Sequence, residues 1–394
     1  MPRSPRKAYP PPVLITDNDA LGACIERLSA ESFVTVDTEF VRERTYWPEL
    51  CVVQIGGEAE VVIIDAQAEG IDLAPLGRLL AEPAITKVFH AARQDLEIFL
   101  HLFERLPEPL FDTQVAAMVA GFGDQVGYDS LVASLTGGEI DKAHRFSDWS
   151  QRPLSAEQVN YAAADVTWLR DVYLKLRARL EREGRLDWVA QEMAVLTDPR
   201  TFRPDPDTLW ERLRPRTGNR RMLGTLRAIT AWREGEAQRV NVPRQRLLKD
   251  ESLLEIAATA PRTPDALARV RGVGRGFADG RMGASLIEAI REALAVPDSA
   301  LPQAPRRDGP RPSPALVSLL KVLLAAKAEQ HDVAPRLLAS SEDIDRLATE
   351  DAPDIPALQG WRREVFGTDA LALKAGEVLI GVAGRRIKLL KAPG

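Results

Sequence analysis

The run Phe33-Val-Thr-Val-Asp37-Thr-Glu39-Phe constrains the fold more than any other stretch of the chain. Its first residues are apolar or β-branched at successive positions, so the strand they form must be covered on both faces. Such a strand is central in its sheet, and helices must lie over it. Side chains alternate along a strand, which places Asp37 and Glu39 on the same side at its far end. Two carboxylates there are costly to bury unless they are paired or hold a cation. An isolated Asp-x-Glu pair fits equally well a strand that is leaving its sheet for solvent.

Further strand and helix signals follow. Leu50–Ile55 and Val61–Ile64 are short apolar runs bounded by turn residues, and with Phe33–Asp37 they read as a meander. Helical periodicity covers Leu73–Ala81 and Gln94–Phe103, separated by the short apolar run Lys87–His90. It resumes in Thr113–Phe122, Tyr128–Thr136 and Ala156–Gly184, the last opening on Ser155 as N-cap. Strands early and helices late predict a mixed sheet covered by helices.

Two more carboxylates stand at informative places. In Val88-Phe-His90-Ala-Ala-Arg-Gln-Asp95 a short strand runs into a helix, and Asp95 lies in that helix's first turns. Open α/β sheets gather functional residues at such strand ends, although an acid also suits a helix N-terminus electrostatically. Glu97 points elsewhere on the helix and reads as a solvated acid. In Val159-Asn-Tyr161-Ala-Ala-Ala-Asp165, Tyr161 and Asp165 are four apart on one helix face. The alanines between them keep the helix slim enough for close approach. Each element alone has a plain structural explanation, but together they place four carboxylates and a tyrosine where they can share one cleft. Four acids in a cleft repel one another unless cations neutralise them. An all-carboxylate ligand set suits Mg²⁺ or Mn²⁺ rather than zinc. A pair of such ions supports in-line phosphoryl displacement, with Tyr161 orienting the water.

Length and charge limit what surrounds this cleft. The chain has 394 residues, enough for two or three domains. Proline-rich breaks divide it: one follows Thr197, and the other spans Pro297–Pro314. Residues 13–200 are expected to form the first domain, 210–296 a second and 315–394 a third, with 297–314 as a linker and 1–12 as a flexible basic arm. Net charge is −5, but residues 1–209 hold 21 Lys and Arg against 34 Asp and Glu, whereas residues 210–300 hold 17 against 11. An acidic region that collects cations, next to a basic one that meets phosphates, fits a nucleic-acid enzyme. Solvated surfaces alone would also give this pattern. Residues 310–394 hold 12 against 11 and are nearly neutral. Apolar stretches such as Val61–Ile64 and Leu319–Ala326 fall well short of the roughly 20 residues that span a bilayer. The two cysteines, Cys24 and Cys51, have no metal-ligand spacing and read as buried thiols of a reducing compartment, so a cytoplasmic location is expected.

The last two segments are helical and resemble each other. Arg246-Leu-Leu248 precedes Ala257 much as Arg336-Leu-Leu338 precedes Ala348, in a repeat too long for a solenoid. A duplicated small helical domain, its second copy diverged, is the expectation. No Gly-x4-Gly-Lys-Ser/Thr loop is present, which disfavours a helicase.

The order and context of Asp37-x-Glu39, His90-x4-Asp95 and Tyr161-x3-Asp165 resemble the DEDD exonucleases, in the branch with a tyrosine in the third motif. Leu50-Cys-Val-Val-Gln54-Ile, Phe111-Asp-Thr-Gln114, Trp149 and Leu154–Gln158 are similar to the ribonuclease D family, over about residues 13–200. The resemblance implies a ribonuclease H-like α/β exonuclease domain followed by two all-α HRDC-type domains. It also implies stepwise release of 5′-mononucleotides from RNA 3′ ends, tRNA precursors included. Asp37, Glu39, Asp95 and Asp165 would then bind two divalent cations, Mg²⁺ or Mn²⁺, and Tyr161 would position the water. A monomer acting on RNA, with no membrane partner, is expected. A DNA 3′–5′ exonuclease has the same metal chemistry, and a noncatalytic RNA-binding protein would need a lost carboxylate.

Substrate contacts are read more loosely. Phe40 beside the first motif is placed to stack on a terminal base, with core packing as the plainer reading. Gln54 and Gln114 suit substrate or supporting contacts, and His90 suits either a substrate contact or a neutral, hydrogen-bonded strand-end histidine. Arg145 lies in a polar loop before the third motif. Arg216, Arg220 and Arg221, in the arginine-rich run 212–221, are candidate phosphate contacts.

Overall fold

The computed structural model describes residues 11–141, 147–303 and 312–392. They divide into two compact units, one within Met1–Phe40, Leu50–Asp198 and Asp308–Gly394, the other within Val41–Glu49 and Pro199–Arg307.

The first unit opens with β1 (Val13–Ile15), α1 (Asn18–Leu28), β2 (Phe33–Val41), β3 (Glu49–Gly56) and β4 (Val61–Asp65). It continues through α2 (Ala74–Ala81), β5 (Thr86–Phe89), α3 (Arg93–Phe103), β6 (Leu110–Asp112), α4 (Thr113–Val119), α5 (Tyr128–Thr136), α6 (Ala156–Arg182) and α7 (Leu186–Leu196). The six strands form one sheet in the order β1-β4-β3-β2-β5-β6. β3 and β4 are antiparallel, while the β1–β4, β2–β5 and β5–β6 pairs are parallel. The sheet is therefore mixed, and β2, β3 and β4 lie side by side as a meander. β2 is interior, as its apolar faces require, with Phe33–Val36 all buried. β1 and β6, three residues each, are too short for a hydrophobic period to register.

α6 lies close on this sheet. Ser155 and Gln158 form a reciprocal capping box that fixes where the helix starts. Ala162 and Ala163 are buried, and the Thr35 hydroxyl donates to the Val166 carbonyl at 2.7 Å. A Cβ on Gly56 would stand 2.4 Å from Thr35 Oγ1 and 3.1 Å from the Val166 carbonyl oxygen, so the approach requires glycine there. Arg170 completes the seam, its guanidinium 4.2 Å from the Phe33 ring centroid and donating to the Gly56 carbonyl at 3.1 Å.

The second unit contains a 3₁₀ turn at Leu209–Leu213, then α8 (Arg220–Arg239), α9 (Arg244–Leu247), α10 (Asp250–Thr259), α11 (Pro264–Leu267), α12 (Arg275–Ala278) and α13 (Arg281–Ala295). Trp210, Leu226, Ile229, Leu253, Ile256 and Leu286 are part of its core. Residues 41–49, expected from sequence to belong with their flanking strands, pack here instead. The backbone N–H groups of Tyr46 and Trp47 both donate to Asn241 Oδ1 at 3.0 Å. The Tyr46 hydroxyl bonds the Glu234 carboxylate and accepts from Arg244 Nη2 at 2.6 Å.

The remainder of the first unit is α14 (Pro314–His331), α15 (Pro335–Leu338), α16 (Ser341–Thr349) and α17 (Gly360–Arg362), which leads through a π turn at Arg363–Gly367 into α18 (Thr368–Ala375). A long helix, a four-residue helix and a helix of nine or ten residues recur in the same order in α8–α10 and α14–α16. The second copy is not all-α. It ends in an antiparallel ribbon, β7 (Val378–Ala383) and β8 (Arg386–Lys391), joined by a two-residue turn that opens on Gly384 at φ +65°.

This copy docks on α4 and α7. Trp361 stacks on Trp188 with centroids 4.6 Å apart, and its indole N–H donates to buried Glu192 at 2.8 Å. Arg362 donates to the other oxygen of Glu192 at 2.6 Å. Arg185 donates to the carbonyls of Val119, His331 and Asp332, and the Ala334 N–H donates to the Met118 carbonyl at 2.9 Å. Aromatic and polar contacts together explain why a nearly neutral segment suffices for this docking.

Candidate active site

β2 and α6 supply the centre. Asp37 and Glu39 stand two apart on β2, and Asp165 faces them from α6, with one oxygen of each within 4.8 Å of the others. Asp95 enters from the first turn of α3 and accepts a hydrogen bond from the Thr38 hydroxyl, on the strand between Asp37 and Glu39. Asp37, Tyr161 and Asp165 line a cavity of about 310 Å³ together with His90, Gln114 and Tyr128.

The electrostatics follow from burial and from the carboxylates' mutual repulsion. Asp37 is pushed well above the usual carboxylate range by burial and by the charge of Asp165. Glu39 rises to about 9, first from burial and then from Asp37. Asp95 is also raised well above the usual range by burial and Asp37, although the Thr38 hydroxyl offsets part of this. Asp165 reaches about 7 through burial, relieved in part by a hydrogen bond from Tyr161. Buried acids that hold one another's protons on are a site arranged for positive charge. Carboxylate oxygens alone, at this spacing, fit a hard divalent cation.

Residues outside the carboxylate motifs support the site. Asp112, at the end of β6 and 2% exposed, accepts from the N–H groups of Ala91, Ala92, Gln114 and Val115 at 2.8–3.2 Å. It thereby ties the turn that launches α3, where Ala91 has φ 59°, to the start of α4. The Tyr128 hydroxyl donates to the Asp165 backbone carbonyl. Asp112 falls within Phe111-Asp-Thr-Gln114, a legible motif, and caps α4 locally, but its bonds to Ala91 and Ala92 are local only in three dimensions. Nothing in the sequence marks Tyr128.

The looser candidates separate clearly. His90 and Gln114 line the cavity; His90 Nδ1 lies 3.0 Å from the Thr113 hydroxyl, and Gln114 Nε2 donates to the Val126 carbonyl at 3.3 Å. Burial lowers the His90 pKa and favours the neutral ring. Phe40 is half-buried and forms no part of the cavity wall. Gln54 is wholly buried in β3 opposite Ile63, which corrects its reading as a substrate contact, because it offers no surface to a ligand. Arg220 and Arg221 make contacts within their own unit. Arg220 donates to the Leu301 carbonyl at 2.7 Å, and Arg221 bonds the Val296 carbonyl and Asp298, so both fasten the second unit's own C-terminal end. Arg216 is exposed, and Arg145 lies outside the described residues.

A carboxylate cluster on a central strand, closed by a helix that carries tyrosine and aspartate, defines a site suited to hard divalent cations. A family model described as 3′–5′ exonuclease matches residues 12–181, and an HRDC domain model matches residues 222–290. Ribonuclease D of Gluconacetobacter diazotrophicus is 71% identical, with 100% of each chain covered. That of Granulibacter bethesdensis is 69% identical, with 99% of each covered. The crystal structure of Escherichia coli RNase D, described as an exoribonuclease involved in structured RNA processing, superposes with a TM-score of 0.80 at 30% identity, covering 93% of this chain and 99% of that one. The chain belongs to the ribonuclease D family, and with it to the metal-dependent 3′–5′ exoribonucleases. The matched HRDC domain falls in the second unit. Among the described residues no helix is long and apolar enough to cross a membrane.

Proposed function

We propose that this chain removes nucleotides singly from RNA 3′ ends and releases 5′-mononucleotides, with two divalent cations, Mg²⁺ or Mn²⁺, held by Asp37, Glu39, Asp95 and Asp165. The observation that carries this reading is the convergence of Asp37, Glu39 and Asp165 within 4.8 Å, with Asp95 beside them and Tyr161 bonded to Asp165. When bound, the cations supply the charge that makes water acidic enough to attack and that steadies the attacked phosphate.

The chain's own residues do the rest. The four carboxylates fix where positive charge collects. Tyr161, whose hydroxyl bonds Asp165, is placed to hold a water beside that carboxylate. A phenol of pKa about 10 does not itself deprotonate water at neutral pH, so its part is orientation. His90 and Gln114, which line the same cavity, would meet the terminal nucleotide.

Processing of tRNA precursors by a monomer in the cytoplasm is the setting we infer. The structured-RNA role described for the E. coli relative supports the substrate. The two buried cysteines, neither of them in a disulfide, support the compartment. Incubation of tRNA precursor, labelled at its 5′ end, with and without Mg²⁺ tests the reading. One-nucleotide ladders that shorten from the 3′ end only with Mg²⁺ are expected. Metal-independent cleavage, or endonucleolytic fragments, would overturn it.

A further inference from the structure

The C-terminal ribbon carries a charge that the composition of its segment hides. Residues 310–394 hold 12 Lys and Arg against 11 Asp and Glu, but all 11 acids lie within residues 310–377. The ribbon, residues 378–391, contains Arg385, Arg386, Lys388 and Lys391 and no acid. All four cations are exposed. Among the described residues none of them pairs with a carboxylate, whereas in the same copy Lys327 pairs with Asp369, Arg346 with Glu350 and Arg362 with Glu192.

The ribbon's geometry aims this charge outward. β7 and β8 pair with Gly381 opposite Lys388 and Ala383 opposite Arg386. Side chains alternate along β8, so Arg386 and Lys388 share one face and Leu389 takes the other. Leu389 packs on the core of this copy, and the two cations therefore stand on the outer face, about 7 Å apart along the strand. Arg385 lies in the turn beyond them and Lys391 at the opposite end, so charge runs along the whole ribbon, roughly 20 Å.

A row of cations without acids fits a polyanion, and RNA is the polyanion on which this family acts. No aromatic residue lies within 378–391, so the ribbon offers nothing on which unpaired bases can stack. It suits paired strands, whose bases stack on one another and which are met mainly through backbone contacts. The tip of the ribbon, Gly384 and Arg385, is charged rather than apolar, which fits a phosphate chain better than insertion into a lipid surface.

We propose that the β7–β8 ribbon holds the phosphate backbone of a base-paired region of the RNA substrate through Arg385, Arg386, Lys388 and Lys391. The inference rests on RNA being the substrate. Contacts of this kind add affinity without sequence preference.

Fluorescence anisotropy on full-length protein in EDTA, with a labelled RNA hairpin and an unpaired RNA of equal length, measures the contact without hydrolysis. The quadruple variant Arg385→Gln/Arg386→Gln/Lys388→Gln/Lys391→Gln removes no ion pair and should keep the wild-type melting temperature. It should bind the hairpin at least tenfold more weakly at about 0.1 M salt, with the slope of log K against log salt shallower by about 2 to 4. The loss should be at least threefold smaller for the unpaired strand. Arg386→Lys combined with Lys388→Arg keeps the charge and should bind the hairpin within about twofold of wild type. Mixed phosphatidylcholine and phosphatidylglycerol vesicles provide the lipid comparison. Hairpin binding unaltered in the quadruple variant, an equal loss on the unpaired strand, or a loss confined to vesicles would each overturn the proposal. Hydrolysis with Mg²⁺ is read separately. Wild-type protein that binds the hairpin through the ribbon but shortens no RNA would sink the exonuclease reading alone, and the reverse would sink the ribbon alone.

Discussion

At the residue scale, the carboxylates are the clearest case of side chains placed against their own stability. Asp37→Asn or Asp165→Asn should lower RNA turnover by about 10³-fold or more, since either removes charge on which cation binding depends. Loss of less than tenfold in either variant would refute their role. Tyr161→Phe should reduce kcat by roughly 10- to 100-fold with little change in the Mg²⁺ concentration needed for half-maximal rate, as expected of a group that orients water. The raised carboxyl pKa values also set a pH dependence for the metal-free protein. Glu39 titrates near 9 and Asp165 near 7 when folded, against about 4 unfolded. Between those values the native state binds more protons than the unfolded one, so stability falls as pH rises from about 4 towards 9. Urea midpoints measured in EDTA should decline over that range, and saturating Mg²⁺ should flatten the decline. A midpoint in EDTA that rises with pH would contradict the assignment. Residue identity was legible at these positions because acids in an otherwise apolar strand and in an alanine-rich helix are conspicuous. Tyr128 was not, and the bonds of Asp112 to Ala91 and Ala92 were not, because these act on backbone groups brought near only by folding.

At the element scale, helix periods and strand runs reported most of the first unit. α3, α5 and α6 start and stop within about two residues of the sequence expectation, because capping residues and long apolar periods are local signals. The β7–β8 ribbon escaped, although its β-branched residues and glycine turn are ordinary strand signals, because the repeat suggested another helix. Only Val378, Ile380 and Leu389 of this ribbon join the core. α7 shows what periodicity cannot convey, namely which surface a helix meets. Its Glu192 is buried and accepts from both Trp361 and Arg362. Arg362→Ala leaves that carboxylate without its cation, a change that typically costs about 3–5 kcal/mol in a buried pair. Chemical denaturation and protease susceptibility of residues 312–392 should both report the loss. Glu192→Gln combined with Arg362→Met should recover much of it, and failure of the double variant to recover any would argue that packing alone holds the contact.

At the scale of the whole molecule, the C-terminal copy of the helical repeat joins the nuclease domain in one unit, whereas residues 41–49 join the helices of the other. Removal of residues 312–392 should expose Trp188 and strip partners from Glu192 and Arg185, lowering the melting temperature of the nuclease domain by about 5 °C or more. An unchanged transition would show that the docking contributes nothing to it. The amino-acid sequence by itself determined the central strand, the longer strands and helices of the first unit, the carboxylates and tyrosine as candidates, and the duplicated run of helices, because each is written in neighbouring residues or in a short period. Tertiary structure alone decided which side chains meet. It brought Asp37, Glu39 and Asp165 within 4.8 Å, buried Gln54, and tied Arg220 and Arg221 to carbonyls at the end of their own unit. The reason is physical: local pattern sets a residue's conformation and the side it faces, but the cost of burying charge depends on partners far away in the chain.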